Sequence, residues 1–350
     1  MIFKKDKNDE KPGSKVVQGF LFSLKILFAA GVIWWLISRN YRDFTKALEN
    51  FNFFWIIPVA ALYFLHMFIG AWRWNILLRV QGIRISLYEA FSLTMQAFFY
   101  SLVIPGGAIG GDLAKVALIA ARSPEGKKFE GSFTVLMDRF VGMMGLFSIA
   151  IVVLCFSASI YMKLQGIMGL VVVSLVILCF TGLSAGIFMF FHSTLEKIKL
   201  IAFMISIADK FSKGLYSRLA DAFERYKDCL GTVVFCIGIS IIFIHFNIVL
   251  ILYFIARGVG VSGVSALTYL NASTIGNTAG LLPITVSGVG VRDVVIETLL
   301  KAGGCLPGPA IAIPIIFSAV VILFNISGGF FFIFGGRRKS PQFGNNEKTS

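Results

Sequence analysis

The chain has 350 residues, 57% of them hydrophobic and only 14% charged, with a mean hydropathy of +0.83 and a formal charge of +14. A soluble globular domain carries about 25% charged residues, so the composition excludes a soluble domain of any size. Five cysteines without CxxC spacing and three separated histidines argue against a redox motif or a metal centre, and no cofactor is expected.

Residues 1–15 are basic and run into an apolar block at 16–38. That block is longer than the apolar core of a signal peptide and no small-residue cleavage site follows, so it reads as an uncleaved first helix. Blocks at 53–78, 132–160, 166–191, 231–256 and 307–334 also reach the ~20 residues needed to span a bilayer as helix. Lipid cannot pair backbone polar groups, so these blocks must be helical. The ~10-residue alternating strands of a membrane barrel are absent from the sequence.

Two blocks differ. Those at 86–104 and 262–282 each run into a proline and a glycine-rich break, and a shorter apolar stretch follows at 109–121 and 289–299. Each broken unit either crosses once or enters and leaves by one face. Lys and Arg in short loops favour the cytoplasm, and this decides for re-entry. With both ends inside, segments 1–15, 79–85, 115–130, 193–230 and 335–350 hold five, two, four, seven and four of them, 22 of the 32. Single crossing would put 115–130 and 193–230 outside. The expected fold is therefore all-α, with about six full spans plus two re-entrant, broken helix pairs, and with N-terminus and C-terminus in. Residues 1–350 form one integral membrane domain, expected in the cell membrane. Apolar residues at helical spacing, with Lys and Arg between them, make 194–230 an amphipathic cytoplasmic segment.

Shifting the sequence by 178 residues aligns the broken units without a gap. Arg79 falls on Arg257, Gly82 on Gly260, Pro105 on Pro283 and Gly110 on Gly288. Three spans lie between the units, so 53–121 and 231–299 are expected to be inverted repeats. Inverted repeats with discontinuous helices are the pattern of secondary transporters, whose sites lie at the breaks. A half-helix starting inside the membrane exposes unpaired N–H groups and the positive end of its dipole, which suits an anion. The glycine stretches "GGAIGGD" and "GVGVRD" lack the lysine and strand context of a nucleotide loop, so neither reads as one.

Ionisable residues inside spans are costly and mark function or internal pairs. The candidate substrate-binding set is Arg73, Gly106, Gly107, Gly110, Gly111, Asp112, Lys115, Asp138, Arg139, Ser287, Gly288, Gly290, Arg292 and Asp293. Lys115, Arg139 and Arg292 are expected to surround a lipid phosphate, with Asp112, Asp138 and Asp293 balancing them. Structural readings stand beside these: Arg73 snorkelling to an interface, Asp112 capping a half-helix, Asp138 and Arg139 tying helices together, and Asn271 and Asn277 acting as interhelical hydrogen-bond glue. Removing Arg139 is expected to destabilise the fold more than removing Lys115 or Arg292.

The stretches "WRWNILLRVQGI", "IPGGAIGGDLAKVALI", "VLMDRFVG" and "LLPITVSGVGVRD" resemble motifs of the lysylphosphatidylglycerol synthase transmembrane-domain family, also called flippase-like or YbhN-type. The resemblance covers nearly the whole chain and departs from it at Asp293, where members typically carry Glu. In the best-known relatives the membrane domain precedes a soluble domain that lysylates phosphatidylglycerol, and the membrane part is associated with flipping the product. This sequence ends about sixteen residues after its last apolar block, so the lysyltransferase activity is not expected of it. The expected function is a flippase or transporter for an anionic or aminoacylated phospholipid or a polyprenyl-phosphate-linked lipid. The alternative is a membrane enzyme or scaffold in lipid head-group modification, against which stands the lack of a His–carboxylate pair or metal cluster in the sequence. Membrane lipids, and a separate lipid-modifying enzyme, are the expected partners; nucleic acid is not.

Overall fold

A computed structural model describes residues 41–104, 107–164, 166–195, 215–282 and 288–334, with scattered positions between 23 and 38. The expected first span at 16–38, the tail 335–350 and residues 196–214 of the amphipathic segment fall largely or wholly outside the described residues.

Among the described residues the protein is helical, without strands. The labelled helices are α1 (Tyr41–Glu49), α2 (Ile56–Val80), α3 (Leu87–Val103), α4 (Ala108–Ala120), α5 (Lys128–Cys155) and α6 (Gly166–Leu195). They continue with α7 (Leu215–Asp228), α8 (Leu230–Ile239), α9 (Phe246–Gly258), α10 (Ala266–Gly280), α11 (Val291–Ala302) and α12 (Pro307–Phe334). Among the described residues five helical stretches are long and apolar enough to cross a membrane: Phe53–Val80, Lys128–Cys155, Gly166–Ile187, Leu230–Gly258 and Pro307–Ile333. They coincide with five of the six blocks read as full spans. Large apolar side chains such as Ile57, Ile177, Phe235 and Leu323 stand exposed along them, as lipid-facing surface requires.

The two broken units are antiparallel helical hairpins. In the first, α3 packs along α4. Near the tip, Gly110 faces Ile104 and Gly111 faces Ala97 and Ser101. At the open end, Arg122, just past α4, bridges Glu89 of α3 at 3.1 Å. In the second, Gly276 of α10 faces Ile296 of α11, and at the open end Gly303 faces Thr268. Each chain returns to the side it started from, as in a re-entrant pair. With 1.5 Å of rise per residue, the 17 residues of α3 and 13 of α4 extend roughly 25 and 20 Å, short of a bilayer core about 30 Å thick.

Local chemistry sets both entrances alike. After α2, Ile83 N–H donates to Leu78 O at 3.0 Å and Gly82 N–H to Arg79 O at 2.9 Å. After α9, Val261 N–H donates to Ala256 O at 2.9 Å and Gly260 N–H to Arg257 O at 3.1 Å. This pair of hydrogen bonds closes a helix through a left-handed residue, which glycine adopts without strain; Gly82 has φ +70° and Gly260 +82°. Ser86 then caps α3 through Glu89 N–H, and Ser265 caps α10 through Thr268 N–H.

Each hairpin packs on its own flanking helices and also reaches across to the other end of the chain. α5 packs against α10, and α12 packs against α3, while α2 and α9 pack on each other. Between α8 and α9 the chain takes six residues of π-helix, Ser240–His245. The wider turn alters which side chains face inward, and both Ser240 and His245 are buried. In the amphipathic segment, α7 docks rather than lying free: Tyr226 Oη donates to Leu77 O at 3.1 Å, and Gln81 Nε2 donates to Ala222 O at 2.7 Å.

The α3–α12 contact is made by backbone. A Cβ on Gly328 would stand 2.1 Å from Met95 O, so Gly328→Val must push the helices apart. The expected loss is about 1–3 kcal/mol or more, the usual cost of overpacking, read by thermal unfolding in detergent. Gly238→Ala, where a Cβ meets nothing within 4 Å, is the matched control and is expected to leave the melting temperature within a degree or so of wild type.

Candidate functional site

A cavity of about 360 Å³ lies between α2, α3, α4, α5, the π-helical segment and α12. The tips of both hairpins reach it: Ala108 and Gly111 from the first, Gly280 and Leu281 from the second. Its wall carries Arg73, Lys115, Arg139, Asp112 and Asp138.

These five groups form two ion-pair systems. Asp138 is held twice. Arg73 reaches it with Nη2 at 2.8 Å and Nε at 2.9 Å, and Lys115 Nζ with a 3.3 Å contact. The same guanidinium donates to Ser240 Oγ at 2.6 Å and to Asp138 O at 3.1 Å. Lys115 Nζ lies 3.9 Å from the centre of the Trp74 ring, whose own N–H donates to Thr134 Oγ1 at 3.0 Å, a cation–π arrangement that steadies the ammonium away from water. The second system is simpler: Arg139 Nε meets Asp112 Oδ2 at 2.5 Å, and Nη2 reaches Ala108 O at 3.4 Å. Asp138 and Arg139, adjacent in sequence, thus take different partners.

Several expectations are corrected by this geometry. Arg73 does not snorkel: its side chain is 8% exposed and locked into the cavity wall. Asp112 does not cap a half-helix, because α4 begins at Ala108 and Asp112 lies one turn inside it. The residue preceding each half-helix is instead a glycine with positive φ, Gly107 at +60° and Gly290 at +93°. Gly110 and Gly111 are demanded first by helix contact, since a Cβ on Gly111 would stand 2.6 Å from Ala97 O.

Arg292 and Asp293 do not join the cavity charges. Asp293 is fully buried and accepts from Gly290 N–H at 2.9 Å and from Ser318 Oγ at 2.7 Å. Arg292 donates to Ser318 Oγ at 2.5 Å, meets Asp293 at 3.5 Å and lies over Phe317. The N-terminus of α11 therefore receives its anion from its own chain, which closes that half-helix as an anion site. Gly288 packs on Gly280, where a Cβ would come within 2.9 Å of the Gly280 Cα. Gly106 and Ser287 lie outside the described residues. Asn271 behaves as interhelical glue: its amide donates to Ser157 Oγ at 2.6 Å and its carbonyl accepts from Tyr161 Oη at 2.6 Å. Asn277 instead bonds within α10, to Ser273 O at 2.7 Å.

Sequence reasoning missed the neutral half of the wall. His66, His245, Thr94 and Asn325 line the cavity. His66 Nδ1, His245 Nδ1, Thr94 Oγ1 and Asn325 Oδ1 are buried there without a hydrogen-bond partner among the described residues. His245 Nε2 bonds Gly142 O at 3.0 Å, which aims the other ring nitrogen elsewhere. The two histidines stand far apart in the chain, and no sequence motif joins them. Among the described residues no group of three or more His, Cys, Asp and Glu side chains could hold a metal ion.

Long apolar helices, two short hairpins between them and a charged cavity at the hairpin tips define a polytopic, all-α integral membrane protein. Over residues 22–329 the chain matches the family described as lysylphosphatidylglycerol synthase TM region, and it belongs to that family. It is also similar to a UPF0104 membrane protein of Pyrococcus horikoshii, 27% identical over 111 residues. That match spans 31% of this chain and 32% of the relative, so the chain aligns with about a third of that protein's length. No solved structure matches the chain.

Proposed function

We propose that this protein moves a lipid with an anionic head group between membrane leaflets, with the phosphate held in the α2–α5 cavity. The observation that carries this reading is the cavity itself. Three cations, Arg73, Lys115 and Arg139, line a space enclosed by lipid-facing helices and touched by both hairpin tips. Buried charge of that kind is retained in a membrane where it serves a substrate or an ion path. Anionic phospholipids and polyprenyl-phosphate-linked lipids fit that charge directly; an aminoacylated phospholipid would be held through its phosphate alone.

The reading includes an inverted repeat relating 53–121 to 231–299. Matching closures at Gly82 and Gly260, matching serine caps and the contacts of each hairpin across the chain support it. Placement in the cell membrane with both ends in the cytoplasm rests on the Lys and Arg distribution. Docking of a separate lipid-modifying enzyme on the cytoplasmic side belongs to the same proposal. General acid–base chemistry is the weaker reading, because Asp138 is doubly paired and Asp112 is engaged by Arg139.

The test is head-group-resolved flipping by the purified protein in liposomes. Accelerated exchange of an anionic lipid over protein-free vesicles is the expected result. Protein-free rates for all three lipid classes, with the protein folded and inserted, would leave a scaffold as the function.

A further inference from the structure

The two carboxylates of the cavity are not equivalent. Asp138 is gripped by Arg73 and Lys115 together, and its side chain is 14% exposed. Asp112 is held by Arg139 alone, and the two are 34% and 30% exposed. Their position is unusual for an ion pair. Ile109 and Leu113 on α4, and Leu136 on α5, lie within a turn of them and are exposed at 48%, 61% and 58%. In a membrane protein such side chains touch acyl chains, so the Arg139–Asp112 pair sits in the lipid-facing seam between α4 and α5. A charge pair facing lipid is costly.

Charge at the wall sharpens this. Three cations face two carboxylates, leaving one net positive charge among the five. One phosphodiester monoanion cancels it. A zwitterionic head group leaves it, and a cationic one adds to it, at the cost of further uncompensated charge in a poorly solvated space. A phosphodiester also offers Arg139 what Asp112 offers, two oxygens for a guanidinium fork. Beyond it stand polar atoms that lack partners: Thr94 Oγ1, His245 Nδ1 and Asn325 Oδ1, each on a residue less than a tenth exposed. These suit the hydroxyls of a head group. A volume of about 360 Å³ lies at the lower end of ligand pockets, room for a head group with its acyl chains left outside.

We propose that the cavity takes the phosphodiester of one monoanionic phospholipid, which enters sideways between α4 and α5 by displacing Asp112 from Arg139. Asp112 is then a latch: it neutralises Arg139 between substrates and gives way to the phosphate. Asp138 stays in place and holds Arg73 and Lys115 aimed at the cavity. This rests on the lipid-handling reading above, but it concerns binding and is measured without transport.

The experiment titrates the purified protein in neutral detergent with dihexanoyl phosphatidylglycerol, dihexanoyl phosphatidylcholine and inorganic phosphate, by calorimetry. Phosphatidylglycerol is expected to bind about tenfold or more tighter than phosphatidylcholine, the discrimination of a charge-assisted contact. Asp112→Asn removes the competing anion and is expected to tighten phosphatidylglycerol about tenfold, and phosphatidylcholine less, because its ammonium meets the added positive charge. Arg139→Gln weakens phosphatidylglycerol. Leu113→Trp, which fills the seam, slows lipid association in stopped-flow measurements and leaves inorganic phosphate unaffected. Equal affinity for the two lipids overturns the proposal, as does an Asp112→Asn variant that folds and binds phosphatidylglycerol no more tightly than wild type. Inorganic phosphate binding as tightly as the lipid points to a soluble phosphate ligand and overturns it too. Selective binding without flipping in liposomes would leave this inference standing and remove the transport reading.

Discussion

Asp138→Asn is expected to destabilise the protein by about 3–5 kcal/mol, the cost of breaking a buried ion pair from one side. The variant leaves Arg73 and Lys115 facing each other without the carboxylate that now joins them at 2.8 and 3.3 Å. Neither cation can turn to water, because each is below a tenth exposed. Arg73 would keep its bonds to Ser240 Oγ and the Asp138 carbonyl, which satisfy protons but not charge. Asp112→Asn unpairs Arg139 at the seam, where the guanidinium keeps the Ala108 carbonyl and its long stem can carry the charge toward the head groups, so the loss should be smaller than that of Asp138→Asn. Thermal unfolding in detergent ranks the two. The control is Arg73→Met with Asp138→Asn: removing one of the two stranded cations should recover part of the loss. A double variant no more stable than Asp138→Asn would place the damage in packing instead of charge.

Lys115→Met is expected to reduce flipping of an anionic lipid by roughly 10- to 150-fold, the equivalent of one charge-assisted hydrogen bond worth about 1.5–3 kcal/mol. Lys115 is the better functional probe of the three cations. Its removal leaves Asp138 paired with both Arg73 nitrogens, and a methionine sulfur makes a favourable contact with the Trp74 ring that the ammonium now faces. The fold should therefore survive, and a melting curve checks that. Arg292→Ala makes the contrast. Arg292 shares Ser318 with a fully buried Asp293 and lies over Phe317, so its loss should lower the melting temperature more than that of Lys115→Met. Wild-type flipping by folded Lys115→Met would remove the phosphate from this cavity.

Those rankings reverse part of what the sequence suggests. From the primary structure, Arg139 is the costly residue and Arg292 the tolerated one, because Asp138 and Arg139 are neighbours in an apolar block. On a helix, neighbours point about 100° apart. Asp138 therefore faces inward to Arg73 and Lys115, while Arg139 turns to the seam and Asp112. Arg292 follows a glycine break as a site residue would, yet Asp293 bends back to the Gly290 N–H and draws it into a closed cluster. Adjacency and burial pull in different directions in both cases, and only the direction of each Cβ decides between them.

What the sequence determined by itself is the architecture. A run of about 20 apolar residues has one stable form in lipid, so five long helices appear where the apolar blocks lie. Glycine at 82 and 260 and serine at 86 and 265 write the hairpin entrances, because a left-handed closure and a cap depend on residues a few positions apart. The short stretches flanking each glycine break could cross once together or fold back, and the placement of Lys and Arg favoured folding back. The tertiary structure alone decided the site. Arg73 and Asp138 are 65 positions apart, and Arg73 and Ser240 are 167. A contact over such distances follows from how helices pack, not from any local period. His66 and His245 reach one wall only because α2 packs beside the π-helical segment. Which carboxylate is locked and which can give way depends on the number of cations around it and its access to lipid, and both quantities come into being only when the helices meet.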